Sequence, residues 1–144
     1  MFDKYFENYQ TDDTWESKGR TITEADLVMF SGLSGDWFPL HSDKEYAKET
    51  QFKQRIAHGM LVLSITTGLL KLEPNIVAAF YGMERVRFTK PTFIGDTIHV
   101  HGKVIDLQEK GSSQGIVTVL TEVKKQTNET VVIFEMKMLV NRRG

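Results

Sequence analysis

A chain of 144 residues with 40% apolar and 26% charged side chains is long enough to bury one core and balanced enough to fold around it. A formal net charge of -1 offers no surplus for a polyanion and argues against a nucleic-acid partner. The absence of cysteine removes disulfides, thiolate nucleophiles and zinc-thiolate centres together. One domain over residues 1–144 is the expected unit, since no repeat, low-complexity tract or Pro/Gly/Ser-rich linker divides the chain.

The start, MFDKYFENYQTDD, places aromatics and acids where a secretory signal needs a basic start and an apolar run, so a cytoplasmic protein is expected. Trp15 to Ile22 has modest strand character. Thr23 then reads as a helix N-cap, with Asp26 three residues on in the capping-box position and Ile22 and Leu27 placed for a hydrophobic staple. This first helix is expected to turn Leu27, Val28, Met29 and Phe30 toward a core and to end at Gly32. Ser42 followed by Glu45 predicts a second capping box and a short helix from Asp43 to Glu49, with His41 just before its N-terminus.

Met60 to Leu72, MLVLSITTGLLKL, is apolar on nearly every side but well short of the roughly 20 residues that span a bilayer. It predicts a central buried helix and no membrane association. Beyond Asn75 the pattern alternates with period two. Short strands are expected over Val77 to Tyr81 and Glu84 to Phe88. Longer ones follow over Thr97 to Lys110, Ile116 to Lys125 and Thr130 to Asn141, separated by the turn-forming EKGSSQG and QTNET. In the first long strand Ile98, Val100, Gly102 and Val104 share one face and His99, His101 and Lys103 the other. Helices first and antiparallel strands after describe an α+β domain whose sheet wraps the central helix.

Two stretches carry candidate chemistry. In GDWFPLHSD, Gly35 to Asp43, Pro39 stiffens the turn between Asp36 and His41. A carboxylate and an imidazole held rigidly on one water are the parts of a general acid-base pair, and a helix start after His41 would favour its neutral form. The same spacing also suits an Asx-turn acid and a surface loop histidine. In AHGML, Ala57 to Leu61, Gly59 opens the buried helix, where a free N–H could meet a developing oxyanion or the glycine could simply let the chain turn.

Taken together, SGDWFPLHSDKEYAKETQFKQRIAHGMLVLS resembles the pattern of the MaoC-like dehydratases and (R)-specific enoyl-CoA hydratases, which have a hot-dog fold. That pattern runs Asp, any residue, Asn, Pro, aliphatic, His, then a helix, then an HG entry to the central helix. RFTKPTFIGDTI, Arg87 to Ile98, resembles the strand and turn that follow, and the resemblance covers about Thr21 to Val104. It implies that Asp36 and His41 are the catalytic dyad and that the Gly59 N–H polarises a thioester carbonyl. It makes Thr67 a candidate active-site hydroxyl. One departure stands out: Phe38 occupies the place of the family asparagine, and a phenyl ring supplies none of an amide's hydrogen bonds. Phe38 is therefore a candidate substrate-binding residue.

The resemblance implies hydration of a 2-enoyl-CoA to an (R)-3-hydroxyacyl-CoA, with coenzyme A as part of the substrate and no other cofactor. It also implies at least a homodimer joined edge to edge. A hot-dog thioesterase and a non-catalytic acyl-CoA-binding module are the alternatives. No metal site is expected: His99 and His101 lack a third ligand nearby and read as a solvated face. His58 reads as a structural hydrogen-bonding residue rather than a second base. Lys53, Arg55, Arg85, Arg87 and Lys90 are the basic residues available to coenzyme A phosphates.

Overall fold

A computed structural model describes all residues from Met1 to Gly144. The chain runs through a 3-10 turn (Phe6–Asn8), β1 (Thr14–Glu16), β2 (Arg20–Thr21), α1 (Glu24–Ser34), α2 (Pro39–Ser42), α3 (Lys44–Lys48), α4 (Gly59–Leu69), β3 (Val77–Phe88), β4 (Thr97–Lys110), β5 (Gln114–Lys125) and β6 (Thr130–Asn141). The strands form one six-stranded antiparallel sheet in the order β1-β4-β5-β6-β3, with β2 also paired to β4. This sheet with its central helix is the hot-dog architecture that the sequence resemblance implies.

Alternation decides which way the sheet faces. Ile98, Val100, Gly102 and Val104 are buried on the inner face, while His99 and His101 are half-buried and Lys103 is exposed on the other. β5 and β6 add Val117, Val119, Val123, Phe134, Met136, Met138 and Val140, all with almost no exposed surface. Leu61, Val62, Thr66 and Leu69 of α4 pack into this face, with the N-terminal Phe2 and Phe6 joining the same core. Thr66 resolves its polarity locally by donating its hydroxyl to the Val62 carbonyl at 2.8 Å.

Several expectations are corrected. α1 is capped as expected, with Thr23 Oγ1 accepting from the Asp26 N–H and the Asp26 carboxylate accepting from the Thr23 N–H. Arg20 adds a two-pronged ion pair that holds the Asp26 carboxyl down at about 2. The helix passes through Gly32, however, and ends at Gly35, whose φ of 76° lets its N–H reach the Ser31 carbonyl. Leu27 and Ser31, four residues apart, form the buried stripe of α1; Val28 and Met29 lie off it and face outward. Asp43, not Ser42, caps α3, accepting from the Glu45 and Tyr46 N–H groups, while the Ser42 hydroxyl turns back to the Trp37 and Phe38 carbonyls. His41 thus lies inside the single turn α2 rather than before a helix start.

The central helix begins at Gly59 and stops at Leu69, and it is not buried all round. Met60, Ser64, Thr67 and Gly68 form an exposed stripe that apolarity alone concealed. β3 is one strand rather than two, kept continuous by register shifts that skip Ala78, Tyr81 and the Arg85-Val86 step. It is also an edge strand, and it half-exposes Phe80, Tyr81 and Phe88. No helix is long and apolar enough to cross a membrane.

Candidate active site

The loop after α1 starts the site. Gly35 ends the helix in the left-handed conformation, and Asp36 follows with its N–H donated to the Ser34 hydroxyl at 3.1 Å. One Asp36 carboxylate oxygen accepts from the Phe38 N–H at 3.2 Å, and no other protein group engages that carboxylate. The Phe38 side chain contributes no hydrogen bond to that carboxylate, and its backbone N–H is the one donor. Pro39 at the first position of α2 needs no hydrogen-bond partner there and brings His41 round within one turn. The Phe38 ring, half exposed, lies edge-on to both His41 and Tyr46, with ring centres 6.1 Å apart in each case.

The His41 tautomer follows from its partner. Nδ1 lies 2.8 Å from the Ile56 carbonyl oxygen, which only accepts, so Nδ1 carries the proton and Nε2 is the nitrogen free to exchange one. Asp36, His41 and His58 offer polar atoms within 4.8 Å of one another. The acid and base singled out from sequence are thus brought together, and a third group stands with them.

That third group is His58, the N-cap residue of α4 and almost wholly buried. Its ring stacks on His41, centres 3.9 Å apart and tilted by 24°, while Phe30 meets its edge at 4.9 Å. Nε2 is 3.1 Å from both the Asp36 carbonyl oxygen and the Ser31 hydroxyl. Because the Asp36 carbonyl only accepts, Nε2 carries the proton, and Nδ1 is left as a buried acceptor with no partner. Such a group costs about 1–3 kcal/mol. Burial pushes the His58 pKa below its ordinary value, outweighing the opposing pull of the Asp36 carbonyl, and keeps the ring neutral. The expected hydrogen-bonding role is met; its stack on His41 and its hold on Asp36 were missed.

Gly59 follows directly. As the first residue of α4 its N–H has no acceptor within the helix, and His58 provides no side-chain cap. A Cβ at this position would lie 2.5 Å from the Phe88 ring, so any larger residue here requires that ring to move, independently of any ligand. Gly59 opens onto a cavity of about 390 Å³ walled by Phe52, Ile56, Met60, Phe88 and Val132, with Lys90 also in its lining. Asp36 and His41 lie outside that wall and adjoin it through Ile56, whose carbonyl holds His41. Thr67 is not part of this arrangement: it lies two turns along α4 on the exposed stripe, with its hydroxyl donated to the Ser64 carbonyl at 2.6 Å.

Of the basic residues, Arg55 is held by Glu24 at 2.7 Å and Arg85 by Glu135 at 3.0 Å, and Arg87 donates to the Val86 carbonyl. Lys53 and Arg55 instead share a shallow groove with Lys44 and Lys48. Lys90 is the candidate that reaches the main cavity.

A six-stranded sheet around one helix, with an acid-imidazole pair beside that helix's start, defines a hot-dog domain of the dehydratase type. A family model described as "MaoC like domain" matches residues 7–127, and the chain belongs to that MaoC-like dehydratase family. It is 46% identical over 101 residues to Protein MaoC of Klebsiella aerogenes, covering 69% of this chain and 30% of that protein. It is 38% identical over 94 residues to an (R)-specific enoyl-CoA hydratase of Rhodospirillum rubrum, covering 65% of each. The chain therefore spans less than two thirds of either relative's length. Among solved structures, a monoamine oxidase regulatory protein from Archaeoglobus superposes with a TM-score of 0.92 at 40% identity, covering 98% of this chain and 96% of that one. A Mycobacterium tuberculosis protein with a double hotdog fold superposes with a TM-score of 0.85 at 19% identity, over 97% of this chain and 44% of that one, a likeness of fold alone.

Proposed function

We propose that the protein is an (R)-specific 2-enoyl-CoA hydratase, also working in reverse as a 3-hydroxyacyl-CoA dehydratase. The observation that carries this reading is the meeting of His41, whose Nδ1–H is committed to the Ile56 carbonyl and whose Nε2 is left to exchange protons, with an Asp36 carboxylate that has room for a further hydrogen bond, a ring nitrogen of one and an oxygen of the other lying within 4.8 Å. Between them Asp36 and His41 hold one water. Its oxygen bonds to C3 of the enoyl thioester, one of its protons passes to the pair, and the pair returns a proton to C2. Charge gathers on the thioester oxygen during addition, and the unpartnered Gly59 N–H at the positive end of α4 is the group that stabilises it.

The apolar cavity of about 390 Å³ beside Gly59 takes the acyl chain, with the Phe38 ring closing the polar side against bulk water. Lys90 meets the coenzyme A moiety from the rim of that cavity. Coenzyme A arrives as part of the substrate, and the reaction calls for no further cofactor. The working unit is a homodimer in the cytoplasm, joined along the outer edge of β3, a strand paired on one side only that half-exposes Phe80, Tyr81 and Phe88.

Crotonyl-CoA and a panel of longer and branched enoyl-CoAs test the reading. The expected result is loss of the enoyl absorbance without release of free thiol, and a fall of roughly 10²- to 10⁴-fold in Asp36→Asn. Equal rates in the wild type and the variant overturn the mechanism. Thiol release identifies a thioesterase instead. Binding without turnover identifies an acyl-CoA-binding module, a reading for which Phe38 in place of the family asparagine leaves room.

A further inference from the structure

His58 is a buried polar side chain that the proposed chemistry does not consume, and it is held at a cost. An aliphatic residue would fill the space without leaving Nδ1 as an orphaned acceptor. A metal ion is not the explanation. To bind both His41 and His58 an ion must lie in the plane of each ring, and two rings stacked 3.9 Å apart with a tilt of 24° have nearly parallel planes that do not meet within coordination distance.

What the ring does touch is both halves of the acid-base pair. Its Nε2–H holds the Asp36 carbonyl, fixing the backbone from which the carboxylate projects. Its face stacks on the His41 imidazole, which the Phe38 ring meets edge-on, while the Ile56 carbonyl pins that ring in its own plane. His58 is itself anchored by Ser31 and Phe30 of α1 and by its place at the start of α4. The ring therefore couples α1, the Asp36 loop, α2 and α4 at one point.

We infer that His58 is a positioning residue, setting the Asp36 carboxylate and the His41 imidazole relative to one another and to the Gly59 N–H without itself exchanging a proton with substrate. Its activity readout rests on the hydratase reading. His58→Leu removes both the donor and the flat face. His58→Gln carries an amide donor about as far as Nε2, whereas His58→Asn carries one only as far as Nδ1.

On crotonyl-CoA, kcat is expected to fall roughly 100-fold in His58→Leu, with KM changed by less than about threefold, because a displacement of about an ångström in the reacting groups acts on the transition state. His58→Gln is expected to recover a large part of that loss and His58→Asn none of it. A folded His58→Leu enzyme with wild-type kcat overturns the proposal, as does Asn equalling Gln, or KM rising as much as kcat falls. If His58→Leu does not fold, the Gln and Asn pair decides. If the wild type hydrates no enoyl thioester, the hydratase reading fails separately, and amide hydrogen exchange over Gly35 to Phe38 then decides the positioning role. Faster exchange in Asn than in Gln upholds it; equal exchange in the two overturns it.

Discussion

The chain contains two Gly-Asp turns, Gly35-Asp36 and Gly95-Asp96, in which a glycine of positive φ, 76° and 96°, delivers an aspartate. Their carboxylates are put to opposite uses. Asp96 is buried and fully engaged: it accepts from the Phe93 N–H at 2.8 Å, the Gln126 amide at 2.8 Å and the Lys125 ammonium at 3.1 Å. It ties the β3–β4 turn to the end of β5. Asp36 is exposed and accepts a single backbone N–H at 3.2 Å. An acid with both oxygens engaged by three donors holds a fold together, and an acid with a single weak donor beside a base is available for chemistry.

Exchanging each carboxylate for an amide separates the two roles and gives the largest effects. Asp96→Asn leaves the Lys125 ammonium, only 9% exposed, without its counter-ion, and an uncompensated buried charge costs about 3–5 kcal/mol. Urea unfolding is expected to show that loss, while the fraction still folded keeps its kcat. Asp36→Asn is expected to do the reverse, abolishing most turnover with the unfolding midpoint unmoved. A stability loss in Asp36→Asn comparable to that of Asp96→Asn would collapse the distinction.

Acid titration sharpens the same contrast. Burial alone would raise the Asp96 carboxyl, and the hydrogen bonds from Gln126, Phe93 and Lys125 overcome it, so its folded pKa lies below the ordinary value. A depressed folded pKa contributes stability that is complete above the unfolded value, near 3.9, and is lost as pH falls through the folded one. The unfolding free energy of the wild type is therefore expected to drop below about pH 4 more steeply than that of Asp96→Asn, whose amide does not titrate there.

How much of this was legible in sequence depended on distance along the chain. The Thr23 cap and the alternation of β4 involve neighbours within a few residues and were readable. Adjacent or closely spaced equivalents defeated the same rules. Gly32 and Gly35 are both plausible helix ends, and only the capture of the Ser31 carbonyl by the Gly35 N–H decides between them. Ser42 and Asp43 compete to cap α3 in the same way. Hydropathy could not show that Met60, Ser64 and Thr67 line an outward stripe of α4, because the pattern records composition and not what lies opposite. His58 was least legible, since its partners Ser31 and Asp36 are 27 and 22 residues away and meet it only when α1 packs beside α4.

Gly59 tests whether a third glycine serves the chemistry or only the packing. Gly59→Ala drives a Cβ into the Phe88 ring, and overpacking of this kind costs about 1–3 kcal/mol, toward the low end because Phe88 is half exposed and able to swing aside. Adding Phe88→Ala is expected to recover the stability measured by thermal melting. Hydration is expected to stay low in the double variant, because the new methyl also occupies the approach to the Gly59 N–H. Recovery of both would leave Gly59 with a packing role alone.

The smallest effects fall on the glycines that make the two turns alike. A side chain in the left-handed region costs about 1–2 kcal/mol, and asparagine, which tolerates that region, costs less. Gly35→Ala and Gly95→Ala are accordingly expected to lose similar stability in chemical denaturation, with the corresponding asparagine variants recovering part of it. Their activities should diverge: Gly35→Ala shifts the backbone that carries Asp36 and lowers kcat, whereas Gly95→Ala disturbs only a turn already clamped by Lys125 and Gln126. Equal losses of kcat in the two alanine variants would mean that the Asp96 turn also shapes the site, through the Ala57 N–H that bonds to the Thr92 carbonyl two residues before Gly59.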